Sequence, residues 1–91
     1  MATIDISELA TSDIHKYYDL LDWLETEVGQ HVKKGNNHAI CIFESKDYSI
    51  QRSFGIGWHL DYIVNEDMTH RVLTVYDELK ALMVKLIFCG A

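Results

Sequence analysis

Ninety-one residues, 48% apolar and 24% charged, suffice for one small core and leave no room for a second domain. Fourteen acids against eight Lys and Arg give a net charge of −6, which disfavours direct binding to phosphate backbones. No apolar run reaches the length of a membrane-crossing helix, and Met1 to Asp13 lacks the basic and apolar regions of a secretory leader. Neither a membrane partner nor direct nucleic acid is expected, and a cytosolic location follows by default.

The charge is unevenly spread. Positions 1–31 hold Asp5, Glu8, Asp13, Asp19, Asp22, Glu25 and Glu27 against Lys16, a local balance of −6. Positions 32–58, with Lys33, Lys34, Lys46 and Arg52 against Glu44 and Asp47, come to +2. The acidity therefore belongs to the first part of the chain, where it would speed approach to a basic protein groove.

Ala2 to Ile6 reads as a short edge strand or an extended lead-in, and Asp5 with Glu8 could equally cap a first short turn. Ser12 to Gly29 reads as an amphipathic helix. Thr11 and Ser12 suit the N-cap, and Ile14, Tyr17, Leu21, Leu24 and Val28 recur at helical spacing as the core stripe. On that phase Trp23 falls on the polar half, beside Leu20 and among Lys16, Asp19 and Glu27, which has the composition of an interface anchor with a charged rim. The competing reading buries Trp23 under the N-terminal segment. Lys33 to Asn37 is a breaker cluster.

His38 to Glu44, apolar on both faces, reads as a central strand. Tyr48 to Phe54 alternates, placing Tyr48, Ile50 and Phe54 inward and Ser49, Gln51 and Ser53 on a wet side. Gly55 and Gly57 mark a turn. Ile56, Trp58, Leu60, Tyr62 and Val64 then form the inner face of a third strand whose outer face carries His59 and Asp61. Beyond a turn at Asn65 to Asp67, with Asp67 as N-cap, the positions Val72, Val75, Tyr76, Leu79, Leu82, Met83 and Leu86 match one long helix from Met68 onward. A strand over Arg71 to Tyr76 followed by a shorter helix is the rival reading, because Val72, Thr74 and Val75 are β-branched. On the long helix Leu73, Val84 and Phe88 form a second stripe, which either buries against the first helix or makes the contact of a homodimer.

The expected fold is thus α+β, an antiparallel three-stranded meander covered by two helices in the order α-β-β-β-α, with or without a short N-terminal edge strand. That order resembles the double-stranded RNA-binding domain. Such domains carry a basic cluster at the start of the last helix, where this chain has Glu66 and Asp67, and charge excludes that function.

Catalytic signals are weak. The five histidines show no HExxH or HxH spacing, and Cys41 and Cys89 form no CxxC and read as small core or edge residues. No cofactor is expected. His59, Asp61, Glu66 and His70 could converge as a small metal- or ligand-binding enzyme site, which stands as the alternative. The favoured expectation is a non-enzymatic module that binds, and in its sharper form inhibits, a protein with a basic surface, as a virus-type antagonist of a nucleic-acid-handling enzyme would. A structural homodimer is the second alternative.

Overall fold

Position 75 decides the architecture. The computed structural model, which describes residues 1–90, makes Thr69–Val75 a strand in the interior of a five-stranded antiparallel sheet. Strand β1 (Ala2–Asp5) leads into a short helix α1 (Ser7–Ser12) and the main helix α2 (Ile14–Glu27). A small hairpin, β2 (Lys33–Lys34) with β3 (Asn37–His38), turns through Gly35 at φ +66°. Then come β4 (Ile40–Glu44), β5 (Tyr48–Gly55), β6 (Trp58–Asn65), β7 (Thr69–Val75) and helix α3 (Glu78–Phe88). The large sheet runs β1-β7-β6-β5-β4. Among the described residues no helix is long and apolar enough to cross a membrane.

The long C-terminal helix is corrected to its rival, a strand and then a shorter helix. Strand β7 pairs on one side with β6, Leu73 opposite Leu60 and Val75 opposite Trp58, and on the other with β1, Ile4 opposite Leu73. Val72, Thr74 and Val75 therefore satisfy two ladders at once, and Val75 with Leu73 enters the core, which outweighs a helical match that offered one face. Asp67 caps no helix. The Asn65 side chain instead accepts from the Asp67 and Met68 amides at 3.1 and 2.8 Å, making a hairpin turn. The cap of α3 is Asp77, whose carboxylate accepts from the Leu79 and Lys80 amides at 2.9 and 3.1 Å.

The N-terminal ambiguity resolves as a strand and a capped turn in sequence. Asp5 accepts from the Ser7 amide at 2.9 Å, starting α1. Asp13, with extended backbone, then breaks α1 from α2 and caps the latter through the Lys16 amide at 3.1 Å.

The helices lie on one face of the sheet. There Ile4, Leu73, Val75, Trp58 and Leu60 meet Leu20 and Leu24 of α2 and Ala81, Val84 and Phe88 of α3. Each large apolar side chain so buried contributes about 1.5 to 3 kcal/mol. Trp58 is the centre of this layer: it has no exposed surface, and its indole N–H donates to the Gly29 carbonyl at 2.7 Å. His31 packs edge-on against the indole at 4.7 Å between ring centroids and stacks on His38 at 4.1 Å. Arg71 lies between the Tyr17 and Tyr62 rings, at 5.5 and 4.8 Å.

Two strand expectations invert. By register, the helix-facing row of β5 is Ser49, Gln51 and Ser53, since Ser53 is opposite Leu60 and Gln51 opposite Tyr62. Tyr48, Ile50 and Phe54 consequently line the face that no helix covers. Strand β4 is a sheet edge with all five residues exposed, not a central strand. Its two-sided apolar pattern resembles that of a buried strand, yet β5 is its sheet neighbour on one side alone.

Candidate interaction surfaces

The expected anchor on α2 is only partly a surface. Leu20 is fully buried, one turn before Leu24 and facing the sheet. Trp23 is half-buried and packs against Phe88 as an edge-to-face pair, 6.0 Å between centroids. The inward stripe of α2 is rotated from the expected one: Leu20 and Leu24 enter the core with Tyr17, Leu21 and Val28 packed against it, while Ile14 is 44% exposed. Asp19, Asp22 and Glu27 remain exposed, and Lys16 is partly so. Glu27 reaches across to Lys80 of α3 at 4.0 Å, so the acidic side of α2 adjoins the last helix.

The expected dimer stripe is also displaced. Leu73 and Val84 have no exposed surface and Phe88 has 7%, so all three build the core. Because α3 turns Ala81, Val84 and Phe88 inward, its other apolar residues face solvent: Leu79 at 66%, Leu82 at 50%, Leu86 at 57% and Ile87 at 48% exposure. Leu79, Leu82 and Leu86 recur at helical spacing along one outer stripe, with Ile87 on its flank. A helix that is apolar on both sides is ordinarily buried on both. The repeat Leu79, Leu82, Leu86 is legible in the sequence as an apolar stripe expected in the core, and Ile87 lies outside that pattern.

The polar cluster on the helix-free face holds two of the four residues of the enzyme alternative, His59 and Asp61. Asp61, 8% exposed, accepts two bonds from Arg52, at 2.6 Å from Nε and 3.1 Å from Nη2. Arg52 in turn stacks over Phe43 at 5.6 Å. The His59 Nδ1 lies 2.7 Å from the Tyr76 hydroxyl, and its Nε2 lies 3.9 Å from Asp61. Burial and the Arg52 charge hold His59 below its ordinary value, with Asp61 acting in the opposite sense. Each ring nitrogen of His59 thus faces a protein group, and none points to a substrate cleft.

The other two expected members are elsewhere. His70 stands 3.8 Å from Asp5 on the β1 side, and Glu66 is exposed in the β6–β7 turn. Among the described residues no group of three His, Cys, Asp or Glu side chains is placed to hold a metal ion. Cys41 and Cys89, expected in the core or at an edge, are both exposed, the first on the edge strand β4. Clefts of about 350 and 440 Å³ open between α1 and α2 beside Phe88, and along Leu79 and Leu82 of α3, and neither is lined by His59 or Asp61.

No protein-family model, curated protein or solved structure matches the chain.

Proposed function

We propose that the chain is a non-enzymatic protein-interaction module that receives a partner with a basic surface on the outer side of its helix layer. The observation that carries this reading is the stripe Leu79, Leu82 and Leu86 with Ile87 on its flank, 48 to 66% exposed on a helix whose opposite side already completes the core. Contiguous exposed apolar surface of this kind marks contact sites in small domains. Asp19 and Glu27 flank Trp23 on the adjoining helix, and Asp22 lies outward, so the α2 side of the stripe is acidic, while Lys85 lines the cleft beside Leu79 and Leu82. The division of labour is apolar anchoring by α3 and electrostatic steering by α2. A nucleic-acid-handling enzyme, whose groove is basic, is the partner class that this combination favours.

The test is capture of partners from a host lysate by the wild type, by Leu82→Lys with Leu86→Lys, and by Asp19→Lys with Asp22→Lys. All four positions are exposed, so the fold is retained. The leucine pair of substitutions abolishes capture, whereas the aspartate pair slows association and removes its salt dependence. A capture profile unaltered by both sets overturns the reading.

A further inference from the structure

We infer that the free edge of β4 pairs with the β4 edge of a second copy about a two-fold axis at Ile42, joining two sheets into one of ten strands. Natural sheet edges are blunted by lysine, proline, a bulge or a covering element. The opposite edge has such protection: β1 places Asp5 at its end and runs directly into α1. Along Ile40–Glu44 the one charged side chain is Glu44 at the strand's end, with no lysine and no proline. Ile40, Ile42 and Phe43 are 48, 65 and 48% exposed, and Cys41 between them is exposed as well.

The backbone is already oriented for pairing. The Ala39 amide donates inward to the Val32 carbonyl at 2.8 Å, and the Ser45 amide donates to the Tyr48 carbonyl at 2.9 Å. In an antiparallel ladder the bonded direction alternates, so Ile40, Ile42 and Glu44 aim their N–H and C=O groups away from β5. These are the groups that an added strand takes up.

Symmetry and charge select a second copy as that strand. With the axis at Ile42, Ile42 lies opposite itself, Cys41 opposite Phe43, and Ile40 opposite Glu44. No like charges face each other, whereas an axis at Glu44 would oppose two carboxylates. The same register runs Glu44, Lys46 and Asp47 of one copy, a local balance of −1, toward the Lys33–Lys34 hairpin of the other, a complementary meeting in the one stretch of this acidic chain with a positive balance. The inference goes beyond the proposed function, since it uses the sheet edge and not α3.

The interface is small, so sedimentation is measured across the micromolar range. The wild type rises from the 10.5 kDa of one chain to twice that mass. Ile42→Lys sets two ammonium groups opposite each other and weakens association by about tenfold or more. Ile42→Pro does the same while sparing the β5 ladder, because the amide it removes points outward. Both variants keep the wild-type melting temperature within a few degrees. In a Cys41→Ser, Cys89→Ser background, Ile42→Cys forms a linked dimer on mild oxidation, because the facing Cα atoms lie about 5.5 Å apart, within disulfide reach. A wild type that stays at the mass of one chain overturns the inference. So does a dimer that survives Ile42→Lys but is dispersed by Leu82→Glu, or one in which Ile42→Cys fails to link.

Discussion

Gly55→Ala places a methyl group where the Trp58 indole already lies. Gly55 and Trp58 are cross-strand partners, and a Cβ at position 55 would overlap the indole atoms Cε2, Nε1 and Cζ2. The ring has no retreat: it is fully buried, its N–H is tied to the Gly29 carbonyl at 2.7 Å, and His31 closes its edge. Overpacking of a rigid core costs about 1 to 3 kcal/mol, and a displaced indole would also orphan the Gly29 carbonyl at about 1 to 3 kcal/mol. A loss of about 3 kcal/mol is expected. At roughly 4 to 8 °C per kcal/mol for a domain of this size, melting by circular dichroism falls by about 12 to 24 °C. Gly35→Ala is the control, because nothing lies within 4 Å of its Cβ position and only the φ of +66° opposes it, at about 1 kcal/mol. If Gly55→Ala melts no lower than Gly35→Ala, Trp58 is not seated as described and the placement of the helix layer over the sheet fails with it.

Asp77→Ala removes the carboxylate that accepts from the Leu79 and Lys80 amides, and costs about 1 kcal/mol, read as a lower urea midpoint with an unchanged slope. Asp61→Asn weakens the pair with Arg52; since the Arg52 side chain is 32% exposed, water limits the loss to about 1 to 2 kcal/mol, and a loss above about 3 kcal/mol would refute that screening. Acid weakens the fold in two steps of the same sign. As pH falls below about 6.5 the unfolded chain protonates its imidazole before the buried His59 does, so stability drops, and His59→Gln removes this upper step in a series of urea titrations. Asp5, held low by its hydrogen bonds from Ser7, and Glu25, held low by the adjacent His31, are protonated first in the unfolded chain as pH passes through about 4. Stability that is flat from pH 8 to about pH 5 contradicts the His59 assignment.

Local chemistry made much of the chain legible. The helix through Leu20 and Leu24, the breaker cluster at Lys33 to Asn37, the turns at Asp47 and Gly57, and the alternation that opposes Trp58 and Leu60 to His59 and Asp61 all depend on near neighbours, which the sequence displays directly. The local pattern even contained the correct reading of Arg71 to Tyr76 as the rival to a helix. What it lacked was a reason to choose, because Val72 to Val75 acquire their strand energy from β1, about seventy positions away, and from β6.

Helix α1 and the β2–β3 hairpin are elements beyond the expected order, and the remaining differences are of side. A period of 3.6 or 2 fixes which residues share a face but not which face another layer will cover. On α2 the choice buried Leu20 and tucked Trp23 against Phe88; on α3 it buried Val84 and Phe88 and left Leu79, Leu82 and Leu86 outside. On β5 it gave the helices the serine side and left Tyr48, Ile50 and Phe54 uncovered, and on β4 it supplied one neighbour where the apolar pattern suited two. By itself, then, the sequence determined the α+β class, the main helix, the strands at Tyr48–Gly55 and Trp58–Asn65 with their turns, and the acidity of the first part of the chain. Only the tertiary structure decided which apolar faces meet, because that depends on contacts between segments far apart in the chain, and the faces left over are the surfaces proposed here for function.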